Sequence, residues 1–137
     1  MNLTRDMDTV RNLLLDIEKG HTRFTVISQS TAEILYMPEA SNLSEDEAQK
    51  LEYHLTLLEQ AGFITVRSKS GGGQWVVELI TWQGHDFLET IRDPIIWDKT
   101  KDGAKKVGSL SLEVITDIAK GYIRKKVQSL SDIELDI

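Results

Sequence analysis

Residues 44–92 read SEDEAQKLEYHLTLLEQAGFITVRSKSGGGQWVVELITWQGHDFLETIR, and the order of local signals along this stretch decides the fold. Ser44 followed three residues later by Glu47 is a capping box, in which each side chain satisfies a free backbone N–H at a helix start. The helix it opens, Glu45 to Ala61, places Ala48, Leu51, Leu55 and Leu58 on one stripe, flanked by Leu57 and Ala61. Gly62 then supplies a left-handed stop. Phe63, Ile64 and Val66 make a short strand, Ser70-Gly71-Gly72-Gly73 a permissive turn, and Trp75, Val76, Val77, Leu79 and Ile80 a returning strand. A phosphate-binding reading of the glycine run fails, because it needs a helix N-terminus immediately afterwards and a strand follows instead. Thr81 caps a further helix in which Phe87, Leu88 and Ile91 pack inward, and Gly84 permits close approach of another backbone.

Upstream, Met7, Val10, Leu14 and Ile17, with Leu13 beside them, fall on one face at helical spacing and predict a helix from Arg5 to Lys19, ended by Gly20. From His21 to Met37 the periodicity is ambiguous. Phe24, Val26 and Ile27 favour strand, whereas Ala32, Ile34, Leu35 and Tyr36 fit a short strand or a turn of helix; Pro38, Ser41 and Asn42 mark a loop. Downstream, Pro94 breaks the helix. A short amphipathic segment with Ile95, Ile96 and Trp97 follows, then a basic stretch to Gly108. Ser109 caps a last helix carrying Leu112, Ile115, Ile118, Ala119 and Tyr122 up to Val127.

Helix, glycine stop, glycine-tipped hairpin and helix, in that order, predict an α+β chain of the winged helix-turn-helix type with additional C-terminal helices. Residues 1–128 are read as one domain and 129–137 as an acidic tail, in keeping with a length of 137 residues. No apolar run approaches the ~20 residues of a membrane span. Residues 1–11 lack the apolar core of a secretory signal, and cysteine is absent, so the expected setting is the reducing cytoplasm.

The net charge of −6 is unevenly distributed. Residues 1–66 hold five Lys/Arg against eleven Asp/Glu, and residues 67–137 hold eleven of each. Basic residues gather at Lys99, Lys101, Lys105 and Lys106 and at Lys120, Arg124, Lys125 and Lys126. A polyanion would therefore meet the middle and late parts of the chain.

Several motifs resemble one family of small bacterial and prophage proteins, domain of unknown function 2513. They are Arg5-Asp6-Met7-Asp8, Tyr53-His54-Leu55 with Leu57-Leu58 and Ala61-Gly62, and Thr81-Trp82 with Gly84-His85-Asp86-Phe87-Leu88, Ile91-Arg92 and Trp97. The resemblance runs from Arg5 to about Val127. It implies a winged-helix fold and a phage or mobile-element setting, and it implies no reaction.

The residues point away from catalysis. His85 and Glu89 have the i, i+4 spacing of a metal pair with Asp86 adjoining, but no third ligand is supplied, so neither a metal nor another cofactor is expected. His54 sits slightly off its helix stripe and reads as a partly buried histidine bonded to a backbone carbonyl. No nucleophile elbow or Ser/His/acid set appears, so no catalytic residue is assigned.

The fold invites duplex DNA binding in transcription regulation, with the helix in a major groove and the hairpin on the adjacent backbone. The residues for it are Gln49, Lys50 and Tyr53 on the helix, with Thr56 beside them, and Arg67 and Lys69 on the hairpin. Against it stand Glu45, Asp46, Glu52 and Glu59. The alternative is a protein-interaction or inhibitor module acting on a host or phage protein, in which an exposed tryptophan among Trp75, Trp82 and Trp97 would anchor the contact. Ile115, Ile118, Tyr122 and Ile123 could supply the seam of a homodimer through the last helix.

Overall fold

A computed structural model describes residues 3–130, and the chain falls into two compact units, Met1–His85 and Asp86–Ile137. The architecture is α+β, with six helices and a three-stranded antiparallel sheet among the described residues.

The first unit runs α1 (Met7–Glu18), β1 (Arg23–Thr25), α2 (Gln29–Ile34), α3 (Glu45–Gln60), β2 (Ile64–Lys69) and β3 (Gln74–Ile80), and the start of α4 (Trp82–Ile91) closes it. Asp6 caps α1 by accepting from the N–H groups of Asp8 and Thr9, and the predicted apolar face of α1 is buried at Met7, Val10, Leu13, Leu14 and Ile17. The ambiguous stretch after Gly20 resolves into a three-residue strand and a six-residue helix capped by Ser28. The Ser44–Glu47 capping box is formed, and α3 buries Ala48, Leu55 and Leu58 before Gly62 stops it at φ 74°.

The sheet order is β1-β3-β2, so the last strand in sequence is central. Residues Arg23–Thr25 pair with Val76–Gln74, and Ile64 pairs with Ile80. The hairpin register slips twice, between Thr65 and Val66 and between Val66 and Ser68. Glu78 is thereby left without an opposite number on β2, and Arg67 without one on β3. Beyond the hairpin, the Thr81 hydroxyl donates to the Gly62 carbonyl and accepts from the Gly84 N–H. Gly84 is required by space, since a Cβ there would stand 2.2 Å from the Phe63 carbonyl oxygen.

The second unit contains the end of α4, then α5 (Pro94–Val107) and α6 (Leu112–Leu130), with α5 packed on α6. Two sequence readings need correction here. The chain breaks between Ile91 and Pro94, as the proline predicts, but Pro94 also opens the next helix: it occupies the first turn, where its missing N–H costs nothing, and Asp93 caps that turn by accepting from Ile95 and Ile96. The amphipathic segment and the basic stretch to Gly108 are thus one helix of 14 residues. The last helix is capped by Ser111, whose Oγ accepts from the Val114 N–H, while Ser109 bonds to the Ser111 N–H. That helix continues to Leu130, and the remainder of the acidic tail lies outside the described residues.

Candidate interaction surface

The outward face of α3 carries the helix part of the expected nucleic-acid site. Gln49, Tyr53 and Thr56 line an open groove of about 360 Å³ together with Leu3 and Glu52. Lys50 leans the other way. Its Nζ lies 2.8 Å from Asp6 Oδ2, and this bond is the chief reason that the Asp6 carboxyl titrates below the ordinary aspartate range.

The same junction explains His54. The Asp6 N–H donates to His54 Nε2 at 2.8 Å, so Nε2 is an acceptor and the ring proton sits on Nδ1, which donates to the Lys50 carbonyl, also at 2.8 Å. The bonded-histidine reading is right, but His54 is wholly buried, where the sequence suggested partial burial. It ties the start of α1 to the middle of α3, with Tyr53 edge-on at 5.6 Å.

On the hairpin, Lys69 Nζ lies 2.8 Å from Glu59 Oε1 and 4.3 Å from the centroid of the Trp75 ring, so it bridges β2 back to α3. Arg67 Nε lies 4.0 Å from Glu78 Oε2. The two residues displaced by the register slips are therefore partners, of opposite charge. Gln49, Lys50 and Tyr53 share one helix, and Arg67 and Lys69 share one strand, but each of the three cations already faces a carboxylate of its own chain. Helix α3 as a whole holds five acids against one lysine. Three of those acids, Glu45, Asp46 and Glu47, lie in the first turn, where the helix dipole favours them. Glu47 is further held below its ordinary range by its capping bond with Ser44.

Sequence reading passed over the strongest exposed apolar feature. Ile34, Leu35, Tyr36 and Met37 are consecutive and all exposed, Tyr36 by 93%. Tyr36 also sits at φ 59°, a left-handed conformation that a helix end normally gives to glycine. It is held there by bonds from its own N–H to the Glu33 carbonyl and from the Met37 N–H to the Ala32 carbonyl. Met37 reaches the hairpin turn, its Cε being 3.8 Å from where a Cβ on Gly72 would lie. The available signal was a four-residue apolar run placed directly before Pro38. Of the three tryptophans, Trp75 and Trp97 are buried and Trp82 is 84% exposed.

No group of three or more His, Asp or Glu side chains able to hold a metal ion comes together among the described residues. Glu89 is engaged by Arg92 at 2.7 Å, and His85 is exposed. No described helix is long and apolar enough to cross a membrane.

This surface, built from side chains that pair, pack or stay exposed, belongs to a small α+β chain in which the sequence motifs are the remaining guide to kinship. A family model described as "Hypothetical protein (DUF2513)" matches residues 4–111, and the chain belongs to that family. It is similar to an "Uncharacterized protein" of Haemophilus influenzae, at 31% identity over 124 residues, covering 88% of this chain and 96% of the relative. No solved structure matches.

Proposed function

We propose that the chain is a non-enzymatic binding module of winged-helix type, that its first unit meets a protein surface, and that it works in the cytoplasm of a bacterial or prophage setting. The observation that carries the protein-binding reading is the pairing of Lys50, Arg67 and Lys69 with Asp6, Glu78 and Glu59. A phosphate backbone would have to displace those carboxylates and approach a helix that is acid-rich overall. A protein partner meets no such obstacle. Exposed Tyr36 and Trp82 are the side-chain types that anchor protein contacts, and Tyr36 occupies a backbone conformation that would suit glycine better.

A second reading, a duplex-binding regulator that dimerises through α6, draws support from the element order α1-β1-α2-α3-β2-β3 and the sheet order β1-β3-β2, which suit a helix-and-wing unit. One experiment separates the two. Mixed-sequence duplexes are titrated in a mobility-shift assay near ~50 mM salt, where nonspecific contacts are strongest. Under the protein-binding reading the chain gives no shift that Arg67→Ala with Lys69→Ala abolishes. A shift lost in that double variant, with folding unchanged, overturns it in favour of duplex binding.

A further inference from the structure

Helices α5 and α6 enclose an open groove of about 310 Å³ that lies within the second unit. Its walls are Gly103 and Val107 from α5 and Ile118, Gly121, Tyr122 and Lys125 from α6, and Val107 is largely exposed. Cations stand on both sides. The Nζ atoms of Lys99 on α5 and Lys125 on α6 lie 5.9 and 5.8 Å from the centroid of the Tyr122 ring, and neither lysine has a carboxylate partner among the described residues. Elsewhere the same helices do pair their cations, Lys126 with Asp93 at 2.7 Å and Lys101 with Asp98 at 3.8 Å. Among the described residues no carboxylate lines the groove.

The two glycines of the groove differ in what they serve. A Cβ on Gly103 would stand 3.2 Å from Ile118 Cγ2, so its absence lets α5 and α6 pack closely. Gly121 has no such reason: a Cβ there would meet nothing within 4 Å, and its φ is not left-handed. Glycine in a helix interior is less favourable than alanine, so α6 carries a destabilising residue that its packing among the described residues does not require. At the wall of a groove, it leaves room for another backbone to come close.

Unpaired cations on both helices call for carboxylates on both sides of an apolar surface, and Val107, Ile118 and the two glycines accept aliphatic side chains. An amphipathic α-helix supplies that pattern, with aliphatic residues at i, i+3 or i+4 and i+7 and acids flanking the stripe. Single-stranded nucleic acid fits less well, because its bases stack on open aromatic faces: Tyr122 already has two ammonium groups about its ring, and Trp97 is buried. Two copies of the basic groove brought face to face would repel. We propose that the groove between α5 and α6 binds an acidic amphipathic helix of a partner protein, its aliphatic stripe on Val107 and Ile118 and its carboxylates paired with Lys99 and Lys125. This contact is separate from the one assigned to the first unit.

The test uses the full-length chain and fluorescein-labelled probes read by anisotropy. One probe is a synthetic helical peptide with a leucine stripe flanked by glutamates, the second has lysine in place of every glutamate, and the third is a mixed-sequence single-stranded oligonucleotide. The acidic peptide should bind saturably below ~1 mM and the basic peptide should not. Lys99→Glu with Lys125→Glu should weaken the acidic peptide roughly tenfold and confer binding of the basic one. Gly121→Leu should fill the groove and abolish binding of the acidic peptide, with the circular dichroism spectrum unchanged and the melting temperature equal or higher, since leucine is the better helix former. Equal binding of both peptides, an affinity indifferent to charge reversal, or no saturable binding of the acidic peptide overturns the proposal. So does preferential binding of the oligonucleotide that is lost on charge reversal, which assigns the groove to nucleic acid. A dimer in sedimentation that Gly121→Leu dissolves assigns it to a second copy and overturns the proposal equally.

Discussion

Replacing His54 tests whether the junction between α1 and α3 is a polar lock or incidental packing. The imidazole is wholly buried and makes two hydrogen bonds of 2.8 Å, one from the Asp6 N–H and one to the Lys50 carbonyl. His54→Ala removes both bonds, each worth ~1 kcal/mol net, and leaves the Asp6 N–H without its acceptor at the N-cap of α1. The vacated ring adds a cavity cost of ~2 kcal/mol, smaller than for a deleted phenyl ring. The expected loss is about 3–5 kcal/mol, or a fall in Tm on the order of 10–15 °C for a chain of this size. Thermal and urea unfolding followed by circular dichroism read it out. His54→Leu separates the contributions, because it fills most of the volume but accepts nothing, and should still cost about 1–3 kcal/mol. His54→Gln can present an oxygen near the Nε2 position and should recover part of that loss. If His54→Leu proves as stable as the parent, the Asp6 N–H does not depend on the ring, and the lock is refuted.

Two further outcomes follow from the same unit. Gly71→Ala should be nearly neutral, since nothing lies within 4 Å of a Cβ there. Gly73→Ala should cost more than about 1 kcal/mol, because Gly73 sits at φ 76° and its Cβ would stand 2.3 Å from Ile27 Cγ2; equal melting temperatures for the two variants would contradict this. Lys50→Ala should cost under ~1 kcal/mol, as befits a half-exposed ion pair. The sign of its pH dependence is fixed by Asp6, whose folded value is lowered chiefly by the Lys50 bond. The parent's advantage is fully present above the unfolded aspartate value of about 3.9 and disappears as pH falls through the lowered folded value. Urea midpoints of parent and variant between about pH 7 and pH 2 should therefore converge in acid, and a constant gap would remove Asp6 as the partner.

The features legible in the sequence were those with local causes. The Ser44–Glu47 box, the Gly62 stop and the apolar stripes of α1 and α3 each depend on residues within a few positions of one another. The parts left open or misread depend on distant or alternative partners. Strand β1 is only three residues long and exists because Arg23–Thr25 pairs with β3 some fifty residues later. Pro94 does separate α4 from α5, but that it also begins a helix of 14 residues depends on the bonds accepted by Asp93, which a proline alone does not announce. Lys50 and Lys69 looked like free cations on a groove-facing surface. Their counterions, Asp6 and Glu59, lie 44 and 10 positions away, which no helical or strand spacing announces. His54 was placed near the edge of its stripe for the same reason, since it is the start of α1 that closes over it.

The carboxylates of α3 are not equivalent, and their differences narrow what the adjacent groove can accept. Glu45, Asp46 and Glu47 occupy the first turn and serve the helix terminus, and Glu59 is occupied by Lys69. Glu52 is left: it lines the groove with Gln49, Tyr53, Thr56 and Leu3, and its side chain has no partner among the described residues. The Thr56 hydroxyl, which could otherwise serve it, donates to the Glu52 backbone carbonyl at 2.8 Å. The groove combines one carboxylate that only accepts, at Glu52, with an amide and a phenol that both donate and accept, at Gln49 and Tyr53, and an aliphatic end at Leu3. Under the proposed protein-binding reading, a peptide segment supplies both a donor for Glu52, through its N–H groups or a basic side chain, and aliphatic surface for Leu3, whereas a phosphate backbone would bring a second anion to the Glu52 carboxylate.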